Sequence, residues 1–149
     1  MLIPIKILNP KASLPASAYG DGDAGADLAS VEELTLGPGG RALVCTGVAI
    51  AIPAGYGGFV QPRSGLAAKF GITLTNAPGL IDSNYRGEIK VIIQNTGGED
   101  FRINVGDRIA QLVIVPVEHA EFEAVEELPD SDRGAGGFGS SGKDADGGW

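Results

Sequence analysis

The stretch Arg41-Ala42-Leu43-Val44-Cys45-Thr46-Gly47-Val48-Ala49-Ile50-Ala51-Ile52 decides the fold class. It is rich in Val, Ile and Ala and stops at Pro53-Ala54-Gly55. β-Branched side chains lose rotamer freedom in a helix and pack well on a pleated surface, so the run is expected to be strand. Similar runs flank it. Leu2–Leu8 ends at Asn9-Pro10, and Glu33–Leu36 precedes Gly37-Pro38-Gly39-Gly40. Phe59–Gln61, Ile72–Thr75, Ile89–Gln94, Phe101–Val105 and Ile109–Val117 follow, separated by Gly, Asn, Asp or Pro. A strand every ten residues or so, with little helical periodicity, predicts an all-β sandwich, jelly roll or barrel. Only Ser64–Phe70 supports a short helix, with Ser64 as its expected cap. Val91-Ile92-Ile93 and Leu112-Val113-Ile114-Val115 are apolar on both faces, so they are expected to be covered within the domain or by a neighbouring subunit.

A chain of 149 residues defaults to one domain with a real core. No apolar run approaches the roughly 20 residues of a membrane helix. Met1-Leu2-Ile3-Pro4-Ile5-Lys6 lacks the apolar core of a signal peptide, and the expectation is a cytoplasmic protein with no membrane partner. The net charge of −8 argues against binding a nucleic-acid polymer, whose backbone needs a basic face. A small phosphorylated ligand stays open, because a few Arg residues and a divalent cation offset global repulsion locally. Glu118, Glu121, Glu123, Glu126, Glu127, Asp130 and Asp132 crowd one stretch, expected to be an extended arm. Arg41, Arg63, Lys69, Arg86, Lys90, Arg102 and Arg108 lie in the middle, where a phosphate site is expected. Cys45 reads as a small buried hydrophobe. His119, with no cysteine nearby, suits neither a zinc site nor a Ser-His-Asp triad.

Four internal constellations carry possible chemistry. Asp21-Gly22-Asp23-Ala24-Gly25-Ala26-Asp27-Leu28, with Glu32, imitates a calcium loop, but its glycine falls one position early and no helices flank it. It reads either as a turn and strand with solvated carboxylates, or as a place where Asp27 helps hold a hydrated magnesium ion. Pro62-Arg63-Ser64-Gly65-Leu66-Ala67 is either an ordinary helix start or an anion site. Asn76 to Gly87 is too long for a simple turn. If Leu80-Ile81 anchors it, Asp82 sits beside buried apolar residues, where a carboxylate can be tuned as a base. Tyr85 offers a flat face to a sugar; the plainer reading is a hairpin with an Asp-Ser-Asn tip. Gly106-Asp107-Arg108-Ile109-Ala110-Gln111-Leu112 opens a strand with an expected Asp107–Arg108 turn ion pair, and Gln111 is an amide in an apolar strand that needs partners.

Near the end, Arg133-Gly134-Ala135-Gly136-Gly137-Phe138-Gly139-Ser140-Ser141-Gly142 matches G-x-G-x-x-G, but no helix has room to follow, which excludes a dinucleotide fold. By itself it is a phosphate clamp or a Gly/Ser tail.

Taken in order, Asp23–Leu28, Pro62–Leu66, Gly79–Glu88, Gly106–Leu112 and Arg133–Gly142 resemble the five motifs of the trimeric dUTPases over nearly the whole chain. The resemblance implies a distorted jelly-roll, β-clip barrel-like domain with one short helix, assembled as a homotrimer with shared active sites. It implies hydrolysis of dUTP to dUMP and pyrophosphate with Mg2+, which limits uracil in DNA and supplies dUMP for dTMP synthesis. Asp82 matches the carboxylate that orients the attacking water, with Ser64 and Gln111 beside it in catalysis. Tyr85 matches the ring under the deoxyribose. Asn76 matches the amide that reads uracil, helped by backbone around Gly79, Leu80, Ile81 and Lys90. Arg63, Ser64, Gly65 and Gln111 match phosphate contacts, and Asp27 matches the group holding the waters of the metal. Phe138 matches the aromatic that covers uracil; Arg133, Ser140 and Ser141 match the γ-phosphate clamp, and Gly139 is implied to bind substrate with them. The implied division is a β domain over 1–132, with its arm at about 118–132, and a mobile lid over 133–149.

Two other readings compete. A dCTP deaminase shares the fold and needs a Glu base, for which Glu88 is nearest, but the glycine-rich tail fits a dUTPase better. A non-catalytic nucleotide-binding trimer has no use for Asp82.

Overall fold

The computed structural model of the chain describes residues 1–137. Met1–His119 form one compact unit, and a second begins at Ala120. The described part of the second unit is exposed and mostly irregular, with one turn at 132–135.

The first unit is all-β with one short helix. Its strands are β1 (Ile5–Ile7), β2 (Ala26–Ala29), β3 (Leu34–Leu36), β4 (Arg41–Cys45), β5 (Val48–Ile50) and β6 (Tyr56–Gln61). Helix α1 (Ser64–Phe70) intervenes, followed by β7 (Ile72–Leu74), β8 (Gly79–Ile81), β9 (Lys90–Asn95), β10 (Phe101–Ile103) and β11 (Arg108–Pro116). A four-stranded sheet runs β2-β11-β6-β8 and a three-stranded sheet β4-β9-β7, with β1-β5 and β10-β3 as two-stranded pairs. All pairings are antiparallel, so strands distant in sequence lie side by side in a jelly-roll arrangement.

One core joins the two larger sheets. Leu28, Val60, Ala110 and Leu112 from the first meet Val44, Ile72, Val91 and Ile93 from the second. Each fully buried Val, Leu or Ile contributes about 1.5–3 kcal/mol of transfer free energy. Inward residues alternate along β9: Val91 and Ile93 are buried, while Ile92 between them is half-buried. In β11, Leu112 is buried, and Val113, Ile114 and Val115 are only half covered within the chain.

The run Arg41–Ile52 is two strands, not one. Gly47 breaks it with φ of 70°. A Cβ there would lie 2.8 Å from the Cβ of Ala12 and 2.9 Å from that of Asn9. Buried Thr46 donates its hydroxyl to the Ile89 carbonyl at 2.6 Å, and the Gly47 N–H donates to the Glu88 carboxylate at 2.8 Å. The β4–β5 turn is thereby tied to the start of β9. Helix α1 spans the expected residues, but its N-cap is Arg63, in extended conformation, with no side-chain cap hydrogen bond. Ser64 is already helical, so its hydroxyl does not cap. Gly71, left-handed at φ of 68°, closes the helix by donating to the Ala67 and Leu66 carbonyls.

Cys45 is half-buried, not buried. Burial first, then the Glu88 and Glu32 carboxylates, push its thiol above the ordinary range. Glu32, the last residue of the imitated calcium loop, accepts the Cys45 backbone N–H at 2.8 Å. Asp23 accepts the Tyr19 N–H. Among the described residues no three acidic, His or Cys side chains cluster to hold a metal, and the calcium-loop reading has no support. No helix among them is long and apolar enough to cross a membrane.

Candidate active site

The first cluster grows from the centre of the four-stranded sheet. Gln111 of β11 pairs with Asp27 of β2 on one side and Gln61 of β6 on the other. Beyond Gln61 the chain turns through Pro62-Arg63 into α1, which brings Ser64 and Gly65 to the same place. Together they line a cleft of about 590 Å³ that also includes Asp23, Gly25 and Lys69. The Gln111 amide donates to the Pro62 carbonyl at 2.9 Å. A Cβ on Gly25 would sit 3.1 Å from the Gln111 side-chain oxygen. A Cβ on Gly65 would meet nothing within 4 Å, so its backbone is open to approach.

Asp27 is the electrostatic hub of this cleft. Its Oδ1 accepts the Arg63 Nε–H at 2.8 Å and its Oδ2 accepts an Arg108 guanidinium N–H at 3.0 Å. Arg63 also donates to the Arg108 carbonyl at 3.0 Å. Arg108 therefore pairs across the sheet with Asp27. Asp107, expected to be its partner, accepts the Asn104 backbone N–H instead. Two guanidinium groups against one carboxylate leave a local excess of positive charge, which suits a polyanion. Each Asp27 oxygen keeps a second acceptor site, so the residue fits a metal held through water and only beside phosphates.

The second cluster lies at the outer edge of the same sheet. Part of the Asn76–Gly87 segment is strand β8, whose Ile81, Leu80 and Gly79 pair with Gly58, Phe59 and Val60 of β6. Asp82 follows it directly. It lines a cleft of about 320 Å³ with Leu80, Ile81, Tyr85, Glu88, Lys90, Leu43 and Ile92. Ile81 packs on the core, but Leu80 is 58% exposed and Asp82 is exposed. The expectation that Asp82 sits beside a buried Leu80-Ile81 anchor is met only by half-buried Ile81, because Leu80 points away from the core with Leu43, itself 57% exposed. Lys90 pairs with Glu88 at 3.7 Å. Asn76 lies elsewhere on the segment, its amide nitrogen 3.0 Å from where a Gly79 Cβ would be.

The chain thus brings Asp27, Arg63, Ser64, Gly65 and Gln111 together, and separately Leu80, Ile81, Asp82, Tyr85 and Lys90. Arg133, in the second unit, is exposed and donates to the Gly136 carbonyl at 2.7 Å. Phe138, Gly139, Ser140 and Ser141 lie outside the described residues. Sequence reasoning missed the role of Arg108 as second partner of Asp27. No local signal could find it, since the two are 81 residues apart.

A family profile described as dUTPase matches residues 11–142. The chain belongs to the dUTPase family. It is 56% identical over 146 residues to a deoxyuridine 5'-triphosphate nucleotidohydrolase of Thermobifida fusca, covering 97% of this chain and 81% of that protein. It is 54% identical over 142 residues to the enzyme of the same name from Syntrophotalea carbinolica, covering 94% and 96%. Among solved structures, a Staphylococcus bacteriophage 80alpha dUTPase with dUpNHpp superposes with a TM-score of 0.88 at 34% identity, covering 95% of this chain and 99% of that one. A dUTPase mutant from phage phi11, solved to describe coordination of a structural Mg(II) ion, superposes with a TM-score of 0.80 at 29% identity, covering 87% and 100%. The dUTPase likeness thus extends across both clusters.

Proposed function

We propose that this chain is a dUTP diphosphatase, hydrolysing dUTP to dUMP and pyrophosphate. A water adds to the α-phosphorus, the bridging bond to the β-phosphate breaks, and pyrophosphate leaves. Asp82 orients that water and takes its proton. Catalysis of this kind is chiefly positioning and charge neutralisation. Arg63, the Ser64 hydroxyl, the open Gly65 backbone and the free capacity of the Gln111 amide hold the phosphates. Asn76 and the backbone of Gly79, Leu80 and Ile81, with Lys90, read the base, and Tyr85 floors the sugar. Asp27 is the residue to hold the waters of a magnesium ion. That ion, when bound with the polyphosphate, supplies neutralising charge that the two guanidinium groups alone do not.

The observation that carries the shared-site reading is the split itself: one chain presents a phosphate cluster and a water-orienting cluster in separate clefts. A homotrimer in which neighbouring chains contribute one cluster each completes the site and covers Leu43, Leu80 and Ile92. Residues 133–149 are then the lid, with Arg133, Ser140 and Ser141 on the γ-phosphate and Phe138 on the base.

Pyrophosphate release measured with dUTP, UTP, dTTP and dCTP tests the activity. Release from dUTP alone is expected. Ammonia from dCTP favours the deaminase reading and overturns this one, and binding of dUTP without any release favours a non-catalytic trimer.

A further inference from the structure

We propose that Gly87 is a positioning residue for nucleotide specificity: having no side chain, it lets the Tyr85 ring lie directly against the backbone and so sets the height of the floor under the sugar. This rests on the assignment of Tyr85 to the sugar made above.

The argument is spatial. An ideal Cβ on Gly87 would lie 2.6 Å from Cζ and 3.0 Å from Cε2 of Tyr85, with the hydroxyl nearer still. Its three nearest neighbours all belong to that one side chain. Gly87 is not in the left-handed region, so conformational freedom is not what it supplies. What it supplies is room for the ring.

The surroundings of the ring are pinned, so the ring has to give way. The Tyr85 hydroxyl donates to the Glu88 carbonyl at 3.0 Å, and the Tyr85 N–H donates to the Asp82 carbonyl at 3.1 Å. The Arg86 guanidinium donates to the Ser83 and Tyr85 carbonyls, each at 2.7 Å. Glu88 is fastened to the Gly47 N–H, and the Ile89 N–H donates to the Val48 carbonyl at 2.9 Å. A methyl group at position 87 therefore displaces the ring by about 1 Å to restore ordinary contact, and leaves the backbone where it is. Tyr85 lines the Asp82 cleft and Gly87 does not, so a ring pushed off Gly87 alters the wall of the space assigned to the sugar.

The test is steady-state kinetics of the full chain with dUTP and UTP for Gly87→Ala, Tyr85→Ala and the double variant. Gly87→Ala is expected to raise KM for dUTP about tenfold, with kcat within about threefold, because Asp82 and the phosphate cluster are untouched. In the Tyr85→Ala background the same substitution is expected to change KM less than about twofold, since the group it acts through is gone. Equal effects in both backgrounds, or a silent Gly87→Ala beside a damaging Tyr85→Ala, overturn the proposal alone. A Tyr85→Ala variant with unchanged KM and unchanged preference for dUTP over UTP overturns the sugar assignment and this proposal with it. Should Gly87→Ala not fold, folding of the double variant supports the coupling, and its failure to fold overturns it.

Discussion

Asp27 and Asp82 stand at opposite edges of one four-stranded sheet. Asp27 lies on β2 and Asp82 just beyond β8, with β11 and β6 between them. The register places Asp27 beside Gln111, whereas Ile81 is level with Gly58 and, through it, Ile114. Three strand spacings and the offset along β11 put the two carboxylates on the order of 19 Å apart. Hydrogen-bond reach is about 3 Å, so no single ligand atom contacts both carboxylates within one chain.

Complementation follows from that separation. Asp82→Asn and Arg63→Ala chains are each expected to be nearly inactive alone. After mixing through denaturation and refolding, about a quarter of the sites should pair an intact Asp82 with an intact Arg63 from different chains. Recovered pyrophosphate release is the measurement, and no recovery contradicts the shared site.

Asp82→Asn keeps the shape of the side chain and removes its basicity. Affinity for dUTP should stay within a few-fold, while kcat falls by about 10²–10⁴. Titration calorimetry beside a turnover assay separates the two effects. Unchanged turnover excludes Asp82 as the group that orients water.

Asp27→Ala leaves Arg63 and Arg108 without their common partner. Both guanidinium groups are partly exposed, so the expected loss of stability is only about 1 kcal/mol, measured by urea unfolding. The larger change should be in the magnesium concentration needed for half-maximal rate, which rises. An unaltered magnesium requirement removes Asp27 from the metal assignment.

Gly47→Ala is expected to destabilise the first unit by about 2 kcal/mol or more, through left-handed strain and overlap with Ala12 and Asn9. Those contacts are Cβ atoms, which do not swing away. Thermal unfolding of the variant gives the answer, and a melting temperature equal to that of the parent contradicts it.

Cys45 should alkylate slowly at neutral pH, because burial and the Glu88 and Glu32 carboxylates disfavour its thiolate. The thiol stays protonated and compatible with the fold below its unfolded pKa; that compatibility is lost as pH rises through the higher folded value. Glu32→Gln keeps an acceptor for the Cys45 N–H and deletes one charge. Faster maleimide labelling of that variant is expected, and an unchanged rate argues that burial and Glu88 suffice to protect the thiol.

Local signals were readable wherever the physics was local. Helix α1 begins and ends where its composition and Gly71 dictate. Most of the expected runs contain a strand, although β6 starts at Tyr56, before the expected Phe59, and Gly47 divides a run that composition alone presents as continuous. Strand β8 was not visible inside Asn76–Gly87, because three residues starting with glycine have little β-propensity of their own and become strand by pairing with β6. The Asp107–Arg108 expectation failed for a related reason: Asp107 lies in the turn before β11 and accepts the Asn104 backbone N–H, and Arg108 found its carboxylate across the sheet.

Residue type and order were sufficient to indicate an all-β class and to mark five motifs that resemble those of the dUTPases. They say which groups a phosphoanhydride hydrolase needs and that this chain carries them. Which of those groups meet was settled only by sheet order and antiparallel register. Backbone pairing couples residues 81 positions apart as readily as neighbours, so Asp27 gained two guanidinium partners while Asp82 was set at the far edge. A one-dimensional pattern carries no term for that distance. The tertiary structure does, and it sets Asp27 and Asp82 in two separate clefts.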